Sequence, residues 1–324
     1  MSLSTTPDAP PRRAALLLNR RAGTLLAHPE LHDRIGEALR EAGFEILPIE
    51  EEAAPDLQGR LALAMESDAP LVIIGGGDGS IRSAAAALAG SGKVLGIIPL
   101  GTLNLLARDL GLPLDPVEAA RLLGEAQPKA IDAGYVNDEI FLCQSVIGLL
   151  NTVGRHREKL RGSGPLAGLR WLRVLVRTVW RHRPIRLALR LPGRPGVKRI
   201  WARTISVVNG PYADEPGRMF HRPRLDTGEL VLYSPKRFGI AWMLRMLIAM
   251  ALGRWQAQRE VDVMRLRDFS LLMRRSHITV MNDGETLLLP LPLHYRIAPR
   301  MLTVMAPVPS EAQAGAEAGL EAGA

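Results

Sequence analysis

The first residues that invite chemistry are Gly75, Gly76, Gly77, Asp78, Gly79 and Ser80, which follow the apolar run 71–74 and lead directly into a helix-forming stretch. Glycines let a backbone come close to a bulky anion and take up positive φ. A helix N-terminus adds unpaired N–H groups and the positive end of its dipole, so phosphate is the natural guest. A plain strand-to-helix turn needs neither three consecutive glycines nor an acid. Two familiar phosphate motifs fail on spacing. The dinucleotide fingerprint needs a third glycine where Ile81 and Arg82 stand, and the Walker A loop needs Ser or Thr after Lys, whereas Gly92-Lys93 is followed by Val94. A second segment, 96–104, again reads as a strand ending in Gly101, Thr102 and Asn104 before a helix, with Arg108 one turn further on. By itself it is only a helix cap, a role that Thr102 or Asn104 can fill.

Other candidates are less specific. Asn282, Asp283 and Gly284 read as a tight hairpin turn between two strand-like runs, with Glu285 just after it. Asp132 either orients water or closes a turn. His156, His182, His221, His277 and His294 lack metal-ligand spacing, and the single cysteine, Cys143, excludes a disulfide framework and reads as a small buried hydrophobe.

Strand-like runs at 14–18, 44–49, 71–74 and 94–98 alternate with helical patterns at 29–42, 58–66, 81–89 and 117–124. That alternation predicts a parallel sheet with helices on its faces, whose strand ends open on one ligand-binding crevice. Near Lys129 the texture changes to short strands separated by Gly, Pro, Asn and Asp, which predicts a largely antiparallel second domain. The expected organisation is a loose lead-in over 1–13, an α/β nucleotide-binding domain over 14–130, a β-rich domain over 131–306 whose last segment returns toward the first, and a disordered tail over 307–324.

Of the 324 residues 47% are hydrophobic, 23% charged and 4% aromatic. This is a globular composition, and so few aromatics make a stacking platform for single-stranded nucleic acid hard to build. No apolar run reaches the roughly 18 residues of a membrane-spanning helix, and no secretory signal pattern opens the chain, so a cytoplasmic protein is expected. Residues 1–130 hold 12 Lys or Arg against 17 Asp or Glu, while residues 131–324 hold 29 against 16. A basic surface suits nucleic acid or an anionic membrane leaflet, and composition does not choose between them. Arg170, Arg173, Arg177 and Arg181 fall on one helical face and Leu169, Leu172, Val176 and Val179 on another. This is either an amphipathic helix that lies on a membrane or an ordinary surface helix with solvated arginines. A more apolar insertion at 240–248 either shapes an acyl-chain cleft or is core.

Taken in order, Gly76-Gly77-Asp78-Gly79-Ser80, Pro99-Leu100-Gly101-Thr102-Leu103-Asn104 and Ala107-Arg108 resemble the diacylglycerol kinase catalytic family, which includes sphingosine kinases and bacterial soluble lipid kinases. The resemblance runs over residues 14–306, through Asn19 and Gly23, Ile131-Asp132-Ala133-Gly134, Asn209-Gly210, Leu225-Asp226-Thr227-Gly228 and Asp283-Gly284-Glu285. It implies an N-terminal α/β nucleotide-binding domain like those of phosphofructokinase and NAD kinase, followed by a mainly antiparallel β-sandwich domain. It implies ATP and Mg²⁺, with Asn19, Gly23, Gly76, Gly77, Asp78, Gly79, Ser80, Thr102 and Asn104 lining the nucleotide site. Asp78 would face the phosphates through Mg²⁺ or a hydrogen bond, and Glu285 would be the general base with Asp283 beside it. The implied partners are a lipid substrate and the anionic inner face of a membrane, without nucleic acid, and a homodimer is compatible. Two departures stand out: Asp226-Thr227-Gly228 lacks a carboxylate that the family often has at an additional metal site, and Leu103 replaces a smaller or polar residue. An NAD kinase shares the Gly-Gly-Asp-Gly turn, and a non-catalytic lipid- or nucleotide-sensing protein of the same fold is the alternative from another class.

Overall fold

The computed structural model describes residues 12–148, 184–213, 220–235, 242, 245, 246, 248, 249 and 261–308. The arginine face at Arg170, Arg173, Arg177 and Arg181, most of the insertion around 240–248 and the tail beyond 308 lie outside the described residues. The chain divides into two compact units, Met1–Ala130 with Leu302–Ala324, and Ile131–Met301.

The first unit contains β1 (Arg12–Leu18), α1 (Gly23–Ala27), α2 (Leu31–Glu41), β2 (Phe44–Pro48), α3 (Leu57–Glu66), β3 (Leu71–Gly76), α4 (Asp78–Leu88), β4 (Val94–Pro99), α5 (Leu105–Asp109) and α6 (Pro116–Leu123). Its strands run parallel in the order β2-β1-β3-β4. Thr303 and Val304 of the final strand, β16 (Leu293–Ala306), add to β4 in the same sense. All six residues of β3 are buried, the mark of a strand covered on both faces. Helices α3 and α6 start where short polar side chains satisfy their first N–H groups. Asp56 accepts from Gly59 N at 2.7 Å to start α3, and Asp115 accepts from Val117 N and Glu118 N, with Pro116 at the first position of α6. Along α2, Leu31, Ile35, Ala38 and Leu39 form the buried stripe, and burying each of its large side chains contributes about 1.5–3 kcal/mol.

The second unit is built from β-strands, its first shared with the preceding unit: β5 (Gln127–Val136), β6 (Glu139–Phe141), β7 (Gln144–Gly148), β8 (Ile185–Arg190), β9 (Lys198–Ala202), β10 (Thr204–Asn209), β11 (Leu230–Pro235), β12 (Val261–Leu266), β13 (Asp268–Leu272), β14 (His277–Asn282) and β15 (Glu285–Pro290). An antiparallel sheet runs in the order β12-β11-β10-β7-β14-β15. A second antiparallel set pairs β13 with β8 and with the first half of β16, and β8 with β9. Their inner faces share a core that includes Val136, Phe141, Ile147, Leu187, Ile205, Phe269, Val280 and Tyr295. Phe269 stacks on Tyr295 with ring centroids 5.0 Å apart. Along β14, Ile278, Val280 and Asn282 are buried while the residues between them are not, the alternation of a strand with one covered face. An α/β unit followed by an antiparallel sheet unit is the fold class the sequence implies.

One local feature differs from expectation. The glycine-rich stretch 75–80 is barely a loop: Gly75 and Gly76 belong to β3, and Asp78, Gly79 and Ser80 form the first turn of α4. Gly77 alone is the turn.

Candidate functional site: a phosphate cradle and an acidic hairpin

Because α4 begins at Asp78 and no side chain caps it, its first N–H groups open at the carboxyl end of β3. Such groups have no partner within a helix and, with the dipole, favour an anion. The loop after β4 lies against this turn so closely that glycine is required at both places. A Cβ on Gly101 would lie 2.6 Å from Gly77 Cα and 2.7 Å from Asn104 Oδ1, and one on Gly76 would lie 2.5 Å from Ser80 Cβ.

Asp78 fastens the two loops together. Its Oδ2 accepts from Asn104 N at 3.0 Å and its Oδ1 from Leu105 N at 2.6 Å. Asn104 takes up left-handed backbone at φ 48°, and its side chain accepts from Gly101 N and donates to Gly101 O. Asn19 donates to Ser80 Oγ at 3.0 Å, tying the end of β1 to the first turn of α4. Two residues that the motifs do not mark complete the frame. Thr24 Oγ1 donates to Leu100 O at 3.0 Å, and buried Arg60 donates to Leu18 O at 3.0 Å. Thr24 was discoverable as the neighbour of Gly23, whereas Arg60 carries no local signal.

The structure therefore gathers Asn19, Gly76, Gly77, Asp78, Gly79, Ser80 and Asn104 into one cradle. Thr102 lies exposed in the loop between Gly101 and Asn104, and Gly23 opens α1 with free space where a Cβ would stand. Arg108 spends its Nε on Leu103 O at 2.9 Å. The carboxylate of Asp78 is engaged with backbone N–H groups, so it shapes the loop that would surround a phosphate.

The acidic hairpin belongs to the second unit. Asn282 pairs with Glu285, leaving Asp283 at φ 48° and Gly284 at φ 91° as a two-residue turn of the kind that suits right-twisted strands. The two acids of this hairpin differ sharply. Asp283 is only 3% exposed and accepts from Leu142 N at 2.6 Å, Cys143 N at 2.8 Å and Gln144 N at 2.9 Å. Burial pushes its carboxyl above the ordinary carboxylate range, while those three N–H groups and the Arg222 guanidinium pull it back. Glu285, two residues on, is exposed. Asp283 holds a turn, and Glu285 is the acid of the hairpin that is open to solvent.

Around Asp283 runs a buried polar lattice. Arg222, 1% exposed, donates from one Nη1 to Leu142 O and Asn209 O, each at 2.8 Å, and from its other terminal nitrogen to Cys143 Sγ. Asn209 donates to Asp132 O and Leu142 O. Asp132 accepts from Gly228 N at 2.6 Å and Arg300 N at 2.9 Å, so of its two readings the structure favours the closing of turns. Arg222 was missed because nothing near it in sequence marks a buried guanidinium.

The donors for a second metal are sparse. Asp226 carries Arg224 Nε at 3.3 Å, and the Thr227 hydroxyl is buried without a hydrogen bond where a carboxylate would help hold a cation. Among the described residues no three His, Cys, Asp or Glu side chains cluster as metal ligands. Hard cations need several oxygen ligands, so these residues do not make a dedicated Mg²⁺ cage. No helix among the described residues is long and apolar enough to cross a membrane.

Comparison with known proteins agrees with the two-unit fold. Residues 13–136 match the model of the diacylglycerol kinase catalytic domain, and residues 148–306 that of the YegS C-terminal NAD kinase beta sandwich-like domain. A protein of Chromohalobacter salexigens named probable lipid kinase YegS-like is 28% identical over 243 residues, 72% of this chain and 74% of that one. A protein of Mycobacterium tuberculosis named diacylglycerol kinase is 30% identical over 161 residues, 48% of this chain and 52% of that one. In fold, the chain is similar to a crystal structure of a diacylglycerol kinase from Bacillus anthracis, with a TM-score of 0.63 and 18% identity over 92% of this chain and 98% of that one.

Proposed function

Because this chain belongs to the diacylglycerol kinase catalytic family, we propose that it passes the γ-phosphoryl group of ATP to the hydroxyl of a lipid at a membrane surface. One observation carries the reading: two glycine turns at adjacent strand ends are locked together by Asp78 and Asn104 around an uncapped helix N-terminus. A plain strand-to-helix connection needs no such clamp, whereas an anion held by backbone N–H groups needs the turn rigid before it arrives.

ATP supplies the electrophilic phosphorus and, in ADP, the leaving group. The protein's part is positioning and charge. The N–H groups of Gly79, Ser80 and their neighbours hold phosphate oxygens, with Gly76, Gly77 and Gly101 permitting close approach. Asn19 fixes Ser80, and Thr102 and Gly23 edge the nucleotide. Mg²⁺ comes as part of the substrate, carried on the phosphates, since the described residues offer it no cage of their own. Glu285 takes the proton from the acceptor hydroxyl as its oxygen attacks the γ-phosphorus and the bond to the β,γ-bridging oxygen breaks. Asp283 and Asp132 contribute no proton; they hold the backbone that carries Glu285. The acceptor class is a lipid alcohol, such as diacylglycerol, a sphingoid base or a related lipid.

The test is transfer of γ-labelled phosphate from MgATP to a panel of lipid alcohols in mixed micelles, with soluble NAD as a control acceptor. Label in one or more lipids and none in NAD is the expected result. Label in NAD alone contradicts the lipid reading, and label in nothing with nucleotide still bound contradicts catalysis.

A further inference from the structure

Within the second unit, β8, β9 and β15 and the turn between β13 and β14 border an open cleft of ≈ 1100 Å³ that the kinase reading does not use. Its rim is cationic. Arg186, Arg199, Arg274 and Arg275 are all exposed, form no ion pair with any described residue, and are joined by His277, while among the described residues no Asp or Glu lines the cleft. Uncompensated like charges this close raise the local potential and select an anion.

The same cleft is also apolar. Trp201 is 61% exposed and Leu288 68% exposed side by side with the arginines at one cleft, and Leu187 and Ile278 form its buried floor. Arg186 and Trp201 are cross-strand neighbours, with the guanidinium carbon 4.3 Å from the ring centroid. That arrangement joins an aromatic body to a cationic head, as at a membrane–water interface. It also covers one face of the indole, leaving less for a nucleic-acid base to stack on.

The cleft walls include Gly148 and Pro184, which immediately flank residues 149–183. That segment holds nine Lys or Arg against one acid, Glu158. Like charge argues against the segment as the cleft's occupant and for an anionic partner common to both.

We infer that this cleft docks an anionic membrane phospholipid, with the phosphate diester on Arg199, Arg274 and Arg275 and the chains against Trp201, Leu288 and the floor. The ligand is distinct from the acceptor alcohol, which brings a hydroxyl and needs no cationic rim. The cleft thus selects the membrane on which the acceptor is found.

The test is sedimentation of the full chain with phosphatidylcholine vesicles, alone or with about one-third phosphatidylglycerol, without ATP so that the result is separate from phosphoryl transfer. Strong binding to the anionic vesicles only is expected. Arg274→Ala/Arg275→Ala lowers that partition about thirtyfold, at roughly tenfold or less per cation, whereas Arg274→Lys/Arg275→Lys keeps most of it. Trp201→Ala lowers it further in the Ala pair. Equal binding of wild type to neutral vesicles, or wild-type binding by the Ala pair with native circular dichroism, overturns the inference. So does an RNA oligonucleotide that outcompetes the vesicles for the same arginines.

Discussion

Two Asp-Gly turns, Asp78-Gly79 in the first unit and Asp283-Gly284 in the second, solve the same problem at different range. Each aspartate uses both carboxylate oxygens to hold backbone N–H groups of another loop. Asp78 reaches Asn104 and Leu105, the next loop but one along the chain. Asp283 reaches Leu142, Cys143 and Gln144, 139 to 141 residues away. The first turn stays partly open and its helix N-terminus has no side-chain cap, whereas Asp283 of the second is sealed while its neighbours Gly284 and Glu285 are exposed. An acid in a glycine turn is therefore a fastener in both units.

The comparison breaks most visibly at the sealed turn. Asp283→Ala strands three N–H groups in the interior and is expected to lower the unfolding free energy by about 4 kcal/mol, read by urea titration. If the loss is under about 1 kcal/mol, Asp283 is not the fastener described. The close approach of the first turn comes next. Gly101→Ala is expected to cost about 2 kcal/mol and to weaken ATP binding about tenfold by calorimetry, because the new methyl has only backbone and the Asn104 amide to push against. Gly23→Ala, with open space at its Cβ, stays within about 0.5 kcal/mol of wild type.

Asp78→Ala frees two N–H groups at a half-buried site and is expected to cost about 1–2 kcal/mol, less than Asp283→Ala because water can reach them. A loss equal to that of Asp283→Ala would erase the contrast. The smallest effect is the pH slope. The folded chain holds the Asp283 proton more tightly than the unfolded chain, whose value is near 3.8, so this group's contribution to stability falls as pH rises from there through its raised folded value. Asp283→Asn flattens that part of the profile, and a slope unchanged in the variant assigns it elsewhere.

What was legible in the sequence was what is local. The period of the apolar residues separates an α/β half from an antiparallel half, and Gly75 to Ser80 mark a strand-to-helix turn because the residues that build it are consecutive. Asn282-Asp283-Gly284 reads as a hairpin turn for the same reason. The Asp78–Asn104 clamp was not legible, because it exists only once β3 and β4 are neighbours. Arg222 and Asp132 were hidden more deeply, since their partners come from distant strands and a lone buried Arg has no motif. The cationic cleft has no sequence signature, because Arg186, Arg199 and the pair Arg274 and Arg275 lie apart in the chain and are brought together only by strand pairing.

The most direct test of the account is single-turnover phosphoryl transfer to lipid by Glu285→Gln, in protein whose thermal midpoint matches wild type. Glu285 is exposed, so stability is expected to hold while turnover falls about 10²–10⁴-fold and ATP affinity is kept. Wild-type turnover in that variant would contradict the assignment of Glu285 as the acid that the hairpin exists to present.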